Sequence, residues 1–426
     1  MEVDIRLSAV EIYQNCLNGK TDYGFETIAE AQERAFVKRL VMTALRRQEF
    51  LKKVISGYSS KPLPPKMSNI HLLIILGAVE ILYFRTPEYA IVSSYVEIAK
   101  KLGNKYSGGF VNAVLRKICS DCEKISNAAN VPFFPKSFRR ILSVDYSPKQ
   151  IAAMEKLAVT EPPLDISVKS NAEQWAHTLD GTLMPNGSIR LPAAGVVSQL
   201  NGYDDGQWWV QDIASSLAVQ SLGKISGKKV LDLCAAPGGK TAQLLSAGAK
   251  VSVLDISKPR LQRLKENMQR LNLHPENIIC ADAIDFLQKS EQTYDIILID
   301  APCSASGTLR RHPEIVHLKT QNDVQRCAEV QKQFLENAAP HIASGGILLY
   351  AVCSLSKAEG EQQILSFIER HPEFLIKPIN LVTIAGKRAS ELKDLLTPEG
   401  FLRCLPSQLS LLGGMDGFFV ATLQKE

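Results

Sequence analysis

From Lys228 onward, short apolar runs alternate with amphipathic segments, and no other feature restricts the fold as much. Val230–Leu231–Asp232–Leu233 reads as a buried strand, followed by a glycine-containing loop and a helix from Thr241. Val251–Ser252–Val253–Leu254–Asp255 reads as a second strand, followed by a helix across Pro259–Leu271. Asn277–Ala281 gives a third strand, Tyr294–Asp300 a fourth and Gly346–Tyr350 a fifth, with a helix from Glu359 to Glu369. Strand–helix alternation of this kind predicts a parallel sheet covered by helices on both faces, a doubly wound, Rossmann-like α/β fold.

At 426 residues the chain is long enough for two or three domains. Residues 1–130 read as an all-α domain. Between Ile70 and Leu82, apolar or small residues fall at Ile70, Leu73, Ile74, Gly77, Ala78, Ile81 and Leu82, the rhythm of a buried helix face, and Thr86–Pro87 stops it. Further helices are expected over Val92–Leu102 and Gly109–Ile118. Val131–Pro132–Phe133–Phe134–Pro135 reads as a linker. Residues 136–222 read as a small α+β module with a strand at Leu164–Val168 and turns at Asn186–Gly187 and Asn201–Gly202. Residues 223–426 then form the α/β domain.

Several classes are excluded. The N-terminus carries Glu2, Asp4 and Glu11 and lacks the basic start and apolar run of a signal peptide. The longest apolar run, Leu72–Leu73–Ile74–Ile75–Leu76, is far too short for a membrane span. Nine irregularly spaced cysteines do not form a disulfide framework, so a reducing cytoplasm is expected. The Asn186–Gly187–Ser188 sequon is then chance. Residues 1–130 hold 18 Lys and Arg against 13 Asp and Glu, while the remaining 296 residues hold 31 of each. A nucleic-acid partner would feel the N-terminal part more, although many helical domains are as mildly basic.

In open parallel sheets ligands bind at the C-terminal ends of the strands. The loop after the first strand is Cys234–Ala235–Ala236–Pro237–Gly238–Gly239–Lys240–Thr241, whose glycines let a ligand approach the backbone at a helix N-terminus. Gly239–Lys240–Thr241 imitates the end of a P-loop, but the first glycine of that motif would fall at Cys234, so the P-loop reading fails. Asp255 ends the second strand, where a carboxylate accepts from ribose hydroxyls. Asp282 follows the third, where an acid meets an adenine amino group, and Asp300 ends the fourth. Any one of these acids could be a helix N-cap. Together with the glycine loop they describe an adenosine ligand without a phosphate clamp, and S-adenosylmethionine is such a ligand.

Two cysteines complete the pattern. Cys303 sits in Asp300–Ala301–Pro302–Cys303–Ser304 and Cys353 in Tyr350–Ala351–Val352–Cys353–Ser354, after neighbouring strands. Cys16, Cys280, Cys327 and Cys404 are read as small buried hydrophobes instead. Methylation at carbon 5 of a pyrimidine needs such thiols. A thiolate adding to carbon 6 turns the ring into an enamine whose carbon 5 is nucleophilic. An acid near ring nitrogen 3 supports the charge, and a base later removes the carbon 5 proton. The order of the two cysteines is open from the residues alone, because Pro302–Cys303 mimics the Pro-Cys nucleophile of DNA cytosine methyltransferases.

The stretches Asp232–Thr241, Asp300–Gly307, Arg310–Arg311–His312–Pro313–Glu314, Tyr350–Ser354 and Asp416–Gly417–Phe418–Phe419 closely resemble the Nop2/Sun family, in particular the bacterial 16S ribosomal RNA cytosine-C5 methyltransferases of the Fmu, Sun or RsmB type. Gly109–Phe110–Val111–Asn112–Ala113–Val114–Leu115–Arg116 resembles the signature of the NusB-like RNA-binding domain that precedes their catalytic part. The resemblance spans nearly the whole chain and is weak between about 136 and 205. It implies a class I methyltransferase domain, S-adenosylmethionine as cofactor and 16S ribosomal RNA as partner. It also implies Cys353 as nucleophile and Cys303 as the thiol assisting product release, and Asp300 is counted with them as a catalytic residue. The cofactor site would be lined by Cys234, Ala235, Ala236, Pro237, Gly238, Gly239, Lys240, Asp255, Asp282 and Asp300. Val352 stands where family members usually have threonine.

The remaining motifs have plainer readings. Cys119 and Cys122 lack the second pair a zinc site needs, so no metal is expected. Trp208–Trp209 has the stacking surface for bases, but a packing role onto the catalytic domain fits large aromatic rings better. A monomer is expected. Two rivals remain open: a tRNA cytosine-C5 methyltransferase, and a NusB-like RNA-binding factor with an inactive catalytic domain.

Overall fold

The computed structural model describes residues 5–20, 22–58, 67–84, 86–103, 106–127, 133–191 and 195–426. Val131 and Pro132 of the expected linker lie outside these residues. Two compact units form, residues 1–140 with 312–318, and residues 141–311 with 319–426. Among the described residues no helix is long and apolar enough to cross a membrane.

The first unit is helical: α1 Ile5–Leu17, α2 Ala31–Tyr58, α3 Ser68–Val79, α4 Glu88–Leu102 and α5 Ser107–Ser120. α3 is buried almost all round: Ile70, Leu73, Ile74, Ala78 and Ile81 of the expected face are buried, but so are Ile75, Leu76 and Val79, while Leu82 is half-buried. A π-helical turn over Glu80–Phe84 carries the helix on before the Pro87 break. Buried Glu80 accepts from Arg6 (2.8 and 2.9 Å) and from Tyr95 Oη (2.7 Å), tying α1, α3 and α4 together. The segment His312–Leu318 belongs to this unit, where Tyr23 Oη donates to Glu314 Oε1 (2.5 Å).

The second unit holds two sheets. The smaller is antiparallel, in the order β2–β3–β1–β4, with β1 Leu164–Val168, β2 Thr182–Leu183, β3 Ile189–Leu191 and β4 Trp208–Val210. Both tryptophans of β4 are buried. Trp208 packs inside the small sheet's own core and Trp209 in the core of the large sheet, so neither ring offers a face to a base.

The large sheet contains β5 Lys229–Leu233, β6 Lys250–Asp255, β7 Asn277–Cys280, β8 Tyr294–Asp300, β9 Ile342–Val352, β10 Phe374–Ile376, β11 Leu402–Cys404 and β12 Phe418–Lys425. Its order is β10–β12–β9–β8–β5–β6–β7, with β11 also on β12. The five strands read from the sequence are the parallel part. The sheet as a whole is mixed, because β12 runs antiparallel beside β9, Phe419 opposite Val352. Successive residues feed opposite faces, as a strand covered on both sides requires. Ile296 and Leu298 enter one core and Ile297 and Ile299 the other. Cys280, expected to be buried, is exposed, because β7 is the edge strand and its end is open.

Beneath the C-terminal segment lies a buried ion pair. Arg190 Nε and Nη2 reach the two carboxylate oxygens of Asp165 (2.6 and 2.7 Å), and Nη1 donates to the carbonyls of Leu412 and Gly414 (2.6 and 2.7 Å). Removing one partner strands a buried charge, which costs about 3–5 kcal/mol. Arg190→Met should therefore lower the stability of the second unit by about that amount in urea unfolding. The double variant Arg190→Met with Asp165→Leu should recover part of the loss. A double variant no more stable than the single one would contradict the assignment.

Candidate active site

The strand order reverses between β5 and β8: β6 and β7 lie on one side of β5, and β8 and β9 on the other. Leu233 of β5 pairs with Leu254 of β6 and with Ile299 of β8, and Asp300 of β8 pairs with Ala351 of β9. These strands end level, and the loops after them open on the crevice at the reversal, where open α/β sheets bind ligands.

The loop after β5 begins with Cys234 in the left-handed region (φ 60) and enters the helix Gly239–Ser246 through Gly238 at φ 104. A side chain on Gly238 would be strained by that φ and would press on Met268 and Leu264 (3.1 and 3.2 Å). The loop's carbonyls are held from the following helix: Arg260 Nη2 donates to Ala236 O and Asn267 Nδ2 to Pro237 O (2.9 Å). Ala235 N donates to Leu254 O (3.1 Å).

Three acids converge here. Asp255 is buried, accepts from Ala236 N (3.2 Å) and Ser257 N (2.9 Å), and pairs with Arg260 (3.2 Å). Asp300 accepts from Lys240 Nζ (2.7 Å), which also lies 5.0 Å from the centroid of the Phe418 ring. Asp232 accepts from Thr241 Oγ1 (2.7 Å), while its Oδ1 is buried without a hydrogen-bond partner. Burial and the neighbouring Asp300 and Asp255 push the Asp232 carboxyl up to about 7. Burial first, then Asp300, Asp255 and Asp232, push the Cys234 thiol up to about 12. Two of the three acids have a cation beside them, Arg260 at Asp255 and Lys240 at Asp300. Asp282 stands apart. It is exposed and caps the helix Ala283–Lys289, its Oδ1 accepting from Ile284 N (2.9 Å) and Asp285 N (3.1 Å).

The two cysteines meet. Cys303 Sγ lies 3.3 Å from Cys353 Sγ, and both residues are half-buried. The hydrogen bond with Cys353, then burial, then the charges of Cys353 and Glu359 hold the Cys303 thiol well above the usual range. Either sulfur can be the donor in this contact. Their loops are strapped together: Gly307 N donates to Cys353 O (3.0 Å) and Ala301 N to Ala351 O (3.0 Å). A Cβ on Gly307 would fall 1.9 Å from Gly417 O, so the Asp416–Phe419 motif closes directly over this loop.

The residues behind the cysteines escaped the sequence reading. Ser304, Ser306 and Ser354 form a buried hydroxyl cluster (3.1–3.3 Å). Buried Glu359 accepts from Ser304 N (2.8 Å), Ser354 Oγ (2.6 Å) and Gln331 Nε2 (3.0 Å). Glu359 reads in sequence as the first residue of a helix, whereas it closes a 3-10 turn over Lys357–Glu359 ahead of the helix Glu361–Arg370. Arg310 and Arg311 are anchored near the C-terminal motif, Arg311 bridging Asp212 (2.7 Å) and Asp416 (3.1 Å). Among the described residues no group of three or more metal-ligating side chains occurs. Cys119 and Cys122 pack partly against the helical core.

The raised Asp232 carboxyl gives a stability test. Because its folded-state pKa lies above the unfolded value, the native state takes up a proton on folding. That stabilisation is full below about pH 4 and is lost as pH rises through about 7. Between about pH 5 and about pH 7, wild type should lose about 2 kcal/mol relative to Asp232→Asn in urea unfolding. A difference between the two proteins that stays constant with pH would mean an ordinary carboxyl.

Comparison with known proteins identifies the family. A family model described as 16S rRNA methyltransferase RsmB/F matches residues 219–424, and one for the NusB family matches residues 1–120. The ribosomal RNA small subunit methyltransferase B of Serratia proteamaculans is 32% identical over 422 residues, covering 94% of this chain and 92% of the relative. That of Yersinia enterocolitica is 32% identical over 385 residues, covering 86% and 89%. Among solved structures, PH0851 superposes with a TM-score of 0.75 at 22% identity over 100% of both chains. NSun6 from Pyrococcus horikoshii with SFG superposes with a TM-score of 0.59 at 19% identity, over 68% of this chain and 98% of that one. At those identities the superpositions show the shared fold, and the sequence matches show the kinship. The chain belongs to the RsmB/F family of 16S rRNA methyltransferases, with a NusB domain ahead of its Rossmann-like catalytic domain.

Proposed function

We propose that this protein methylates carbon 5 of a cytosine in 16S ribosomal RNA through a covalent bond between Cys353 and carbon 6. The observation that carries this reading is the pair of half-buried thiols 3.3 Å apart, just beyond the ends of the neighbouring strands β8 and β9. A single nucleophile would suffice for plain substitution. Two facing thiols suit a ring that must be first attacked and later released.

The crevice fits S-adenosylmethionine on the chemistry of its donors. Asp232, Asp255 and Asp300 offer carboxylate acceptors, with Arg260 as counter-charge to Asp255 and Lys240 to Asp300. The backbone from Cys234 to Lys240 would line the ligand at the N-terminus of the helix Gly239–Ser246. Asp255 would hold the ribose and Asp282, through the oxygen not used in capping, the adenine. When bound, S-adenosylmethionine supplies an electrophilic methyl group.

The chain's own residues do the rest. The Cys353 thiolate forms the S–C6 bond, and the electron pair displaced from the 5,6 double bond makes carbon 5 nucleophilic. As electron density builds at ring nitrogen 3, a protonated Asp300 carboxyl would donate its proton there and recover it on release. After methylation the carbon 5 proton leaves to a base, the 5,6 double bond re-forms and the S–C6 bond breaks, with Cys303 assisting this release. Residues 1–130, with their positive surplus, supply RNA affinity, residues 136–222 form a small α+β module, and residues 223–426 carry the chemistry.

Two measurements test the reading. Asp255→Ala should weaken S-adenosylmethionine binding by about 1.5–3 kcal/mol, the size of a hydrogen bond to a charged group; unchanged affinity in calorimetry would remove Asp255 from the site. Cys353→Ala should abolish methyl transfer and form no adduct with RNA. Cys303→Ala should stall after transfer and leave a protein–RNA adduct on a denaturing gel. The reverse pattern would make Cys303 the nucleophile.

A further inference from the structure

We propose that Glu359 is a positioning residue that locks the Cys303 and Cys353 loops to each other and so holds the two sulfurs face to face. The inference deepens the cysteine reading above and rests on it. Glu359 touches neither thiol. Its carboxylate accepts from the residue that follows each of them, Ser304 through its backbone N–H (2.8 Å) and Ser354 through its hydroxyl (2.6 Å). Glu359, Ser304, Ser354 and the third donor, Gln331, are all completely buried. Gln331 Nε2 also reaches Pro302 O (2.9 Å), directly before Cys303. The main chain of Glu359 is fixed in turn, since Tyr350 Oη donates to its carbonyl (2.7 Å). One carboxylate thus receives three donors from three elements, and two of those elements carry the cysteines.

A buried carboxylate is costly unless fully hydrogen-bonded, and hydrophobic packing would have filled this space without it. Placing an acid here is instead useful to the thiols. Its negative charge is one of the causes that raise the Cys303 thiol, after the bond to Cys353 and burial. The other titratable or charged groups near this cluster are Tyr350, with Arg403 acting on it, and Cys327 on the helix Gln321–Ala338.

The test uses the full-length protein. Glu359→Gln preserves shape but turns an amide N–H₂ toward groups that are themselves donors. kcat for RNA methylation should fall about 100-fold, the cost of misplacing reacting groups. KM for RNA and affinity for S-adenosylmethionine should stay within about twofold. A second readout does not depend on activity. In a Cys353→Ala background, the pH midpoint for alkylation of Cys303 by iodoacetamide should fall by about one unit on adding Glu359→Gln. Glu359→Asp, which keeps the charge on a shorter arm, should restore the midpoint but not kcat. Wild-type kcat in Glu359→Gln, or an unmoved midpoint, would overturn the proposal. If Glu359→Gln fails to fold, Ser354→Ala takes its place: it removes one of the bonds, and wild-type kcat there would overturn the proposal equally. Methyl transfer by Cys353→Ala would sink the nucleophile reading alone, because the alkylation midpoint would still judge Glu359.

Discussion

The parallel pairing of β5, β8 and β9 is the constraint on which the rest depends. Parallel neighbours point their C-terminal ends the same way, and each must be reached through a crossover long enough to hold a helix. The registers Leu233 with Ile299 and Asp300 with Ala351 bring three strand ends level. Residues far apart in sequence, Lys240, Cys303 and Cys353, are thereby gathered at one edge of the sheet. The reversal of strand order beside β5 leaves the gap into which they face.

The antiparallel part of the sheet extends this arrangement. β12 lies along β9, so the chain just before it must pass the end of β9, where Cys353 sits. Gly417 N donates to Gly307 O (2.8 Å), and the close approach of Gly307 to Gly417 O leaves no room for a side chain between them. The segment before it is pinned by Arg190 at Leu412 and Gly414, and by Arg311 at Asp416. These arginines answer buried carboxylates, Asp165, Asp212 and Asp416, and each pair is defensible only because both partners are present. Burial and the proximity of Asp212 nonetheless push the Asp416 carboxyl up to about 7, despite Arg311 and Arg310 nearby.

What the sequence made legible follows from the same physics. β5, β6, β8 and β9 are continuous apolar runs because both their faces are covered, and such runs stand out. β2, β3 and β4 are two or three residues long, too short for a periodic signal, and were expressed only as turns such as Asn186–Gly187. β12 is equally apolar, but Asp416–Phe419 was read as a motif and not as the start of a strand. The acids divide similarly. Asp255 and Asp300 lie at the crevice, whereas Asp282 is also an ordinary helix cap, the plainer reading of an aspartate in that position. The Arg310–Glu314 motif reads as one unit in sequence, yet Arg310 and Arg311 belong to the second compact unit and His312 to the first. No local pattern records such a division.

Glu359 shows why a thiol pair is harder to read than its cysteines. Cysteine after a strand is a visible signal, because a reactive thiol needs exposure and a defined backbone. The groups that orient it contribute hydrogen bonds through backbone and hydroxyl atoms, which any serine could supply. Their meaning lies in convergence: Ser304, Ser354 and Gln331 come from three separate elements to one carboxylate. In a low-dielectric interior such a fully satisfied network is rigid, and the loss of one member leaves the others unpaired. The two sulfurs are therefore fixed less by their own contacts than by the acid behind them, and that acid bends the chemistry as well as the geometry. A negative charge on the inner side favours the protonated form of Cys303, the nearer thiol in this electrostatic sense.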